Sequence, residues 1–157
     1  HGTYPYVTSK DVCASSICGD VGLGPKNIDE VIVVFKAYVT RVGSGPLPQE
    51  LPQDELSKRG WVEYGSVTGR PRRAAPFNYD LAYRAVRLNS ATQIALTKID
   101  VLFPNDKHAR SWDELSSEAR NFIEKIERKL GVPVTIIRTG EDIMDTIDRR
   151  DEYACKA

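Results

Sequence analysis

Two short apolar runs, residues 93–97 (QIALT) and 132–137 (VPVTII), bracket one long stretch with helical periodicity. Phe122, Ile123, Ile126 and Leu130 fall on one face of that stretch. Ser111 with Glu114, or else Ser116, supplies its opening cap, and Lys129 with Gly131 closes it. Two strands joined by such a helix are expected to lie parallel, through a right-handed crossover. A second helix over 79–88, capped by Asn78 and carrying Leu81, Ala85 and Leu88 on one side, leads into the first of these strands. Upstream, residues 31–41 (VIVVFKAYVTR) have the β-branched and aromatic make-up of one long central strand. The start of that segment also fits continuation of a short helix opened by Pro25, with Asp29 and Glu30 near its positive end. The predicted class is α/β, a mostly parallel sheet with flanking helices in a single unit over residues 1–157. Between these elements, residues 1–24 and 43–55 are expected to be irregular. A short strand over 61–67 is expected to precede a loop, TGRPRRAAP.

Charge and composition narrow the function classes. The 157 residues carry 22 Lys and Arg against 22 Asp and Glu, which argues against a disordered tail or a general polyanion binder. The longest apolar run, VIVVF at 31–35, is far short of the roughly 20 residues a spanning helix needs. Three cysteines (Cys13, Cys18, Cys155) without zinc-ligand spacing, and two distant histidines, speak against a disulfide scaffold or a Cys/His metal site and fit a reducing cytoplasm. The chain opens at His1 with no initiator Met and no leader pattern, which reads either as the interior of a longer polypeptide or as trimming. If part of the fold lies elsewhere, the sheet is expected to have an unpaired edge.

Ligands of such a sheet bind at the carboxyl ends of its strands, where residues 43–45, 98–100 and 138–140 fall. In TKID (97–100), Asp100 fits two readings. As a carboxylate in the plane of a guanine it would accept from N1–H and the 2-amino group, a pattern adenine lacks; as a solvated Lys/Asp pair it would read nothing. GSVTGRPRRAAP (65–76) places Arg70, Arg72 and Arg73 in a loop of glycines and prolines, suited to gripping carboxylates or phosphates. A solvated basic turn and a nucleic-acid patch are its alternatives, the latter weakened by zero net charge. Gly19, Gly22 and Gly24 before Pro25 and Lys26 do not make a phosphate loop, and GxxxxGK[ST] occurs nowhere. No serine or cysteine is paired with a histidine for nucleophilic catalysis.

HGTYPYVTS (1–9), GLGPK (22–26), KAYVTRVGSGPLPQEL (36–51), EYGSVTGRPRR (63–73), RAVRLN (84–89), LTKIDVL (96–102) and GVPVTIIRTG (131–140) occur in that order, and together they resemble the carboxyl-terminal portion of the adenylosuccinate synthetase family in its compact archaeal form. The resemblance implies a P-loop-NTPase-like enzyme lacking its amino-terminal half in this chain. The family is a homodimeric cytoplasmic ligase of AMP biosynthesis, joining IMP to L-aspartate with GTP and Mg2+. The Asp and His motifs that carry catalysis, and the metal ligands, are implied to lie outside these residues, so the chain alone is expected to bind without turning over. By resemblance Thr8, Val42 and Arg70 contact IMP. Ser66, Val67, Thr68, Gly69, Arg70, Pro71 and Arg72 form the aspartate loop, and Arg72, Lys98, Ile99, Asp100, Arg138, Thr139 and Gly140 contact GTP. Val67, Pro71 and Arg138 depart from the family's more usual threonine, arginine and serine, and residues 103–111 replace a longer excursion. Two other readings remain open: a non-catalytic purine-nucleotide-binding module, and an RNA-binding remnant using Arg70 to Arg73.

Overall fold

The computed structural model describes residues 4–6, 12–66 and 69–153. Its main sheet has four strands in the order β1 (Ile32–Lys36), β4 (Gln93–Thr97), β5 (Val134–Arg138), β6 (Thr146–Asp148). The first three are parallel and β6 returns antiparallel. A separate antiparallel pair joins β2 (Tyr38–Arg41) to β3 (Arg73–Pro76). The helices are α1 (Ala14–Asp20), α2 (Gln53–Arg59), α3 (Tyr79–Asn89), α4 (Ile99–Leu102), α5 (Ser117–Leu130) and α6 (Arg150–Tyr153).

The crossovers form where periodicity placed them. Asn78 accepts from the Leu81 N–H at 2.9 Å and starts α3. Of the two candidate caps for α5, Ser116 does the work: its Oγ accepts from the Ala119 N–H at 3.2 Å, while Ser111 and Glu114 bond to each other around a separate 3-10 turn. Gly131, at φ 69, ends α5 in the left-handed region that a Cβ disfavours. Ile94, Leu96, Ile123, Ile126, Val134 and Ile137 are fully buried between sheet and helices. Each such side chain contributes about 1.5–3 kcal/mol through loss of water contact.

Five expectations are corrected. The long strand over 31–41 is two strands in two sheets. Ala37 donates its N–H to Thr97 O at 2.8 Å, the last rung shared with β4, and Tyr38 then turns into the core to stack on Trp61. Pro25 opens a single 3-10 turn, Pro25–Asn27, so Asp29 and Glu30 lie beyond it rather than at a helix start. Residues 12–24 include α1, whose Ala14 N–H is capped by Asn89 Oδ1 of α3 at 2.9 Å, a tertiary contact that local composition cannot signal. The irregular segment 43–55 gives way to α2 at Gln53, after Pro52, with Asp54 and Glu55 in its first turn and Gly60 closing it. In place of a strand at 61–67 followed by a loop, the described residues show one bridge, Tyr64 to Pro71, and the loop's end becomes β3.

The outer edge of β1 is unpaired among the described residues, and Val34 on it is 66% exposed. Beside it an apolar cleft of about 490 Å³ runs along α3, lined by Val34, Phe35, Leu81, Ala85 and Leu88. No helix among the described residues is long and apolar enough to cross a membrane. Ile123→Ala, which opens a cavity under β4 and β5, is expected to cost about 2–5 kcal/mol in urea unfolding with an unchanged m-value.

Candidate functional site

The carboxyl ends of β1 and β4 and the start of β2 converge on one carboxylate, Glu63. Its oxygens accept from Lys36 Nζ at 2.9 and 2.8 Å and from the Tyr38 hydroxyl at 2.5 Å, with Arg72 Nη1 at 3.7 Å. Lys36 also donates to Thr40 Oγ1 at 2.9 Å, and Arg72 reaches the same oxygen at 3.5 Å. Lys98 is close enough to bias both Lys36 and Glu63, and Asp100 to bias Tyr38. The cluster thus links Arg72 of the arginine loop to the Lys98–Asp100 turn.

Burial would raise the Glu63 carboxyl, but hydrogen bonds from Lys36 and Tyr38 outweigh it and hold the group below the usual carboxylate range. Burial lowers the Lys36 ammonium despite its carboxylate partner, and burial together with Glu63 pushes the Tyr38 phenol up. Lys36, Arg72 and Lys98 outnumber the carboxylates of Glu63 and Asp100 here, and the excess of positive charge suits the neighbourhood to a further anion.

Glu63 also anchors the loop through its backbone. Arg72 donates its N–H to Glu63 O at 2.8 Å, Gly65 N–H donates to Arg70 O at 2.9 Å, and Gly69 N–H donates to Gly65 O at 2.8 Å. Ser66, Gly69, Arg70 and Pro71 are exposed at the tip, while Val67 and Thr68 lie outside the described residues, as does Thr8. Arg72 is drawn inward, and its Nε is buried with no hydrogen-bond partner among the described residues. Arg73, grouped with Arg70 and Arg72 by sequence, is engaged elsewhere: it pairs with Glu50 and donates to the carbonyls of Gly43 and Gly45 at 2.9 Å. Val42 and Arg72 share a cleft of about 720 Å³ with Tyr6, Thr40 and Arg41. Gly45, at φ 101, lies where a Cβ would strike the Tyr6 ring.

On the opposite wall, Lys98 takes a left-handed conformation at φ 68, Ile99 is buried as an anchor, and Asp100 is half-buried in the first turn of α4. Arg138 Nη2 donates to the carbonyls of Gly140, Glu141 and Asp142 at 3.2, 3.2 and 2.8 Å. Thr139 is fully buried and its hydroxyl donates to Ala109 O at 2.6 Å. The side chains of Arg138 and Thr139 therefore build the turn. Sequence reasoning missed Lys36, Tyr38 and Glu63, although all three stand within motifs it singled out; it also missed His108 and Asp145, bonded at 2.8 Å beside this turn. Among the described residues no group of three or more His, Cys, Asp or Glu side chains is placed to hold a metal ion.

Glu63→Gln is expected to cost about 1–3 kcal/mol by leaving Lys36 and Tyr38 without a charged acceptor. The sign for pH follows from the lowered carboxyl. Its stabilisation is present above the unfolded carboxylate range near 4.3 and disappears as pH falls through the lower folded value. Urea midpoints between pH 7 and 3 are expected to fall more steeply in the wild type than in the variant.

Comparison with known proteins gives the family. The family model for adenylosuccinate synthetase matches residues 1–108. The adenylosuccinate synthetase of Methanosphaera stadtmanae is 57% identical over 152 residues, 97% of this chain and 45% of the relative. That of Methanocaldococcus jannaschii is 55% identical over 97% of this chain and 44% of the relative. A solved structure, fully ligated adenylosuccinate synthetase from Plasmodium falciparum, superposes with a TM-score of 0.84 at 28% identity, over 94% of this chain and 46% of that one. The chain thus spans less than half the length of the curated relatives it matches, and it belongs to the adenylosuccinate synthetase family.

Proposed function

We propose that this chain is the carboxyl-terminal, ligand-holding part of a GTP-dependent ligase that joins IMP to L-aspartate as adenylosuccinate, releasing GDP and phosphate. The observation that carries the reading is the convergence of Arg72, Lys98 and Asp100 around the Lys36–Tyr38–Glu63 cluster, in a chain of this family. Asp100 orients the guanine edge with Lys98 and Ile99 beside it, and the backbone of Arg138, Thr139 and Gly140 flanks the base. Arg72 stabilises negative charge on the phosphoryl side. The loop of Ser66, Val67, Thr68, Gly69, Arg70, Pro71 and Arg72 closes over aspartate, with Arg70 reaching IMP. Thr8 and Val42 address IMP from the amino-terminal segment and the end of β2.

What these residues do chemically is bind, orient and place charge. The metal that the family uses would lower the repulsion between phosphates and is supplied from outside the described residues. The portion of the relatives that this chain does not span brings the groups that move protons, and the assembled enzyme works as a cytoplasmic homodimer.

The test mixes the chain with the remaining portion of a relative and assays IMP-, aspartate- and GTP-dependent product. Restored turnover is expected. Asp100→Asn in the mixture is expected to reduce kcat/KM for GTP at least about a hundredfold, since a guanine-reading acceptor becomes partly a donor. No turnover in the mixture, with GTP and IMP binding to the chain by calorimetry, would instead favour a non-catalytic binding module; steep salt-dependent RNA retention would sink both.

A further inference from the structure

We propose that Asp145 is a positioning residue which, through His108, ties the turn after β4 to the turn after β5 and so sets the spacing of the two segments that flank a bound base. This use of the clasp rests on the function proposed above; the clasp itself rests on geometry alone.

Asp145 is 1% exposed, an ionisable group inside the protein that needs a partner to stay charged. Its Oδ2 lies 2.8 Å from His108 Nδ1, and Arg110 Nη2 stands 3.7 Å from Oδ1. Oδ1 has no hydrogen-bond partner among the described residues. The hydrogen bond from His108 holds the Asp145 carboxyl below the usual range. The charged groups facing it are His108 and Arg110, with a backbone hydrogen bond at Asp142 on its own turn. The nearby Asp106 is engaged with Ser116, accepting from its N–H at 2.6 Å and its hydroxyl at 2.7 Å.

The segment that carries His108 is short and fastened at several points. From Lys98 it runs through α4 to the 3-10 turn Pro104–Asp106, and then to His108, whose backbone is left-handed at φ 68. His108 N–H donates to Thr139 O at 3.0 Å, and Thr139 N–H donates to Asp145 O at 3.0 Å. Gly140 sits so close that a Cβ there would collide with the Asp145 carboxylate. The same side chain therefore bounds the position of Gly140 and, by way of His108, the path back to Asp100. Because its acceptor is a carboxylate, the His108–Asp145 clasp is a charge-assisted hydrogen bond.

The experiment uses the 157-residue chain labelled with nitrogen-15. In Asp145→Asn and in His108→Asn, the latter retaining a residue that tolerates left-handed backbone, the amides of Ile99 and Asp100 are expected to shift together with those of Thr139 and Gly140. If Thr139 and Gly140 shift in either variant while Ile99 and Asp100 stay where they were, the proposal is overturned. Calorimetry supplies the second arm. Both variants are expected to bind GTP about threefold to tenfold more weakly while inorganic triphosphate binding is unchanged. Unchanged GTP affinity in a variant whose Ile99 and Asp100 amides have moved overturns the positioning role. Moved amides with no GTP binding by any form support the clasp and count against the ligand assignment.

Discussion

A single carboxylate holds the centre of this molecule. Glu63 is bonded by Lys36 from the end of β1 and by Tyr38 from the start of β2, and it faces Arg72 at the root of the arginine loop. Without that anion, two ammonium groups and a guanidinium would share a partly dehydrated space with too little negative charge to balance them. With it, the break between β1 and β2 becomes the means by which a parallel sheet and an antiparallel pair share one corner. The loop that the family resemblance assigns to aspartate then stands on a fixed base: its tip is exposed, but its two stems are joined at Glu63 and Arg72 by main-chain hydrogen bonds.

Much of the frame was legible in the sequence because it obeys simple periods. The faces of α3 and α5 repeat as a helix must, Asn78 and Ser116 cap them, and QIALT and VPVTII are too short and too apolar to be anything but buried strands. The run from 31 to 41 misled because strand composition does not record which neighbour a strand pairs with; the switch at Ala37 depends on Thr97 and on the Trp61 ring, both distant in sequence. β3 hid behind Arg72 and Arg73, which read as loop chemistry until Glu50 and the carbonyls of Gly43 and Gly45 are seen to engage Arg73.

The candidate site divides the same way. Lys98 and Asp100 drew notice by their place, a polar pair directly after a buried strand. Glu63 and Asp145 could not, since one acidic residue among 22 carries no mark until cations from other segments surround it. At the turn 138–140, Arg138 folds its guanidinium onto three carbonyls of its own turn and Thr139 is turned into the core, so both side chains hold the turn's shape.

The bare flank of β1 has a consequence for handling the molecule. Among the described residues Ile32 and Val34 stand outward on an edge with no partner strand, with an oily trough along α3 next to them. Natural sheets guard such a flank with lysine, proline or a bulge, and this one has none before Lys36. An edge of that kind is a ready template for a strand of another segment, so the behaviour of the polypeptide in solution turns on what lies against it as much as on its own sequence.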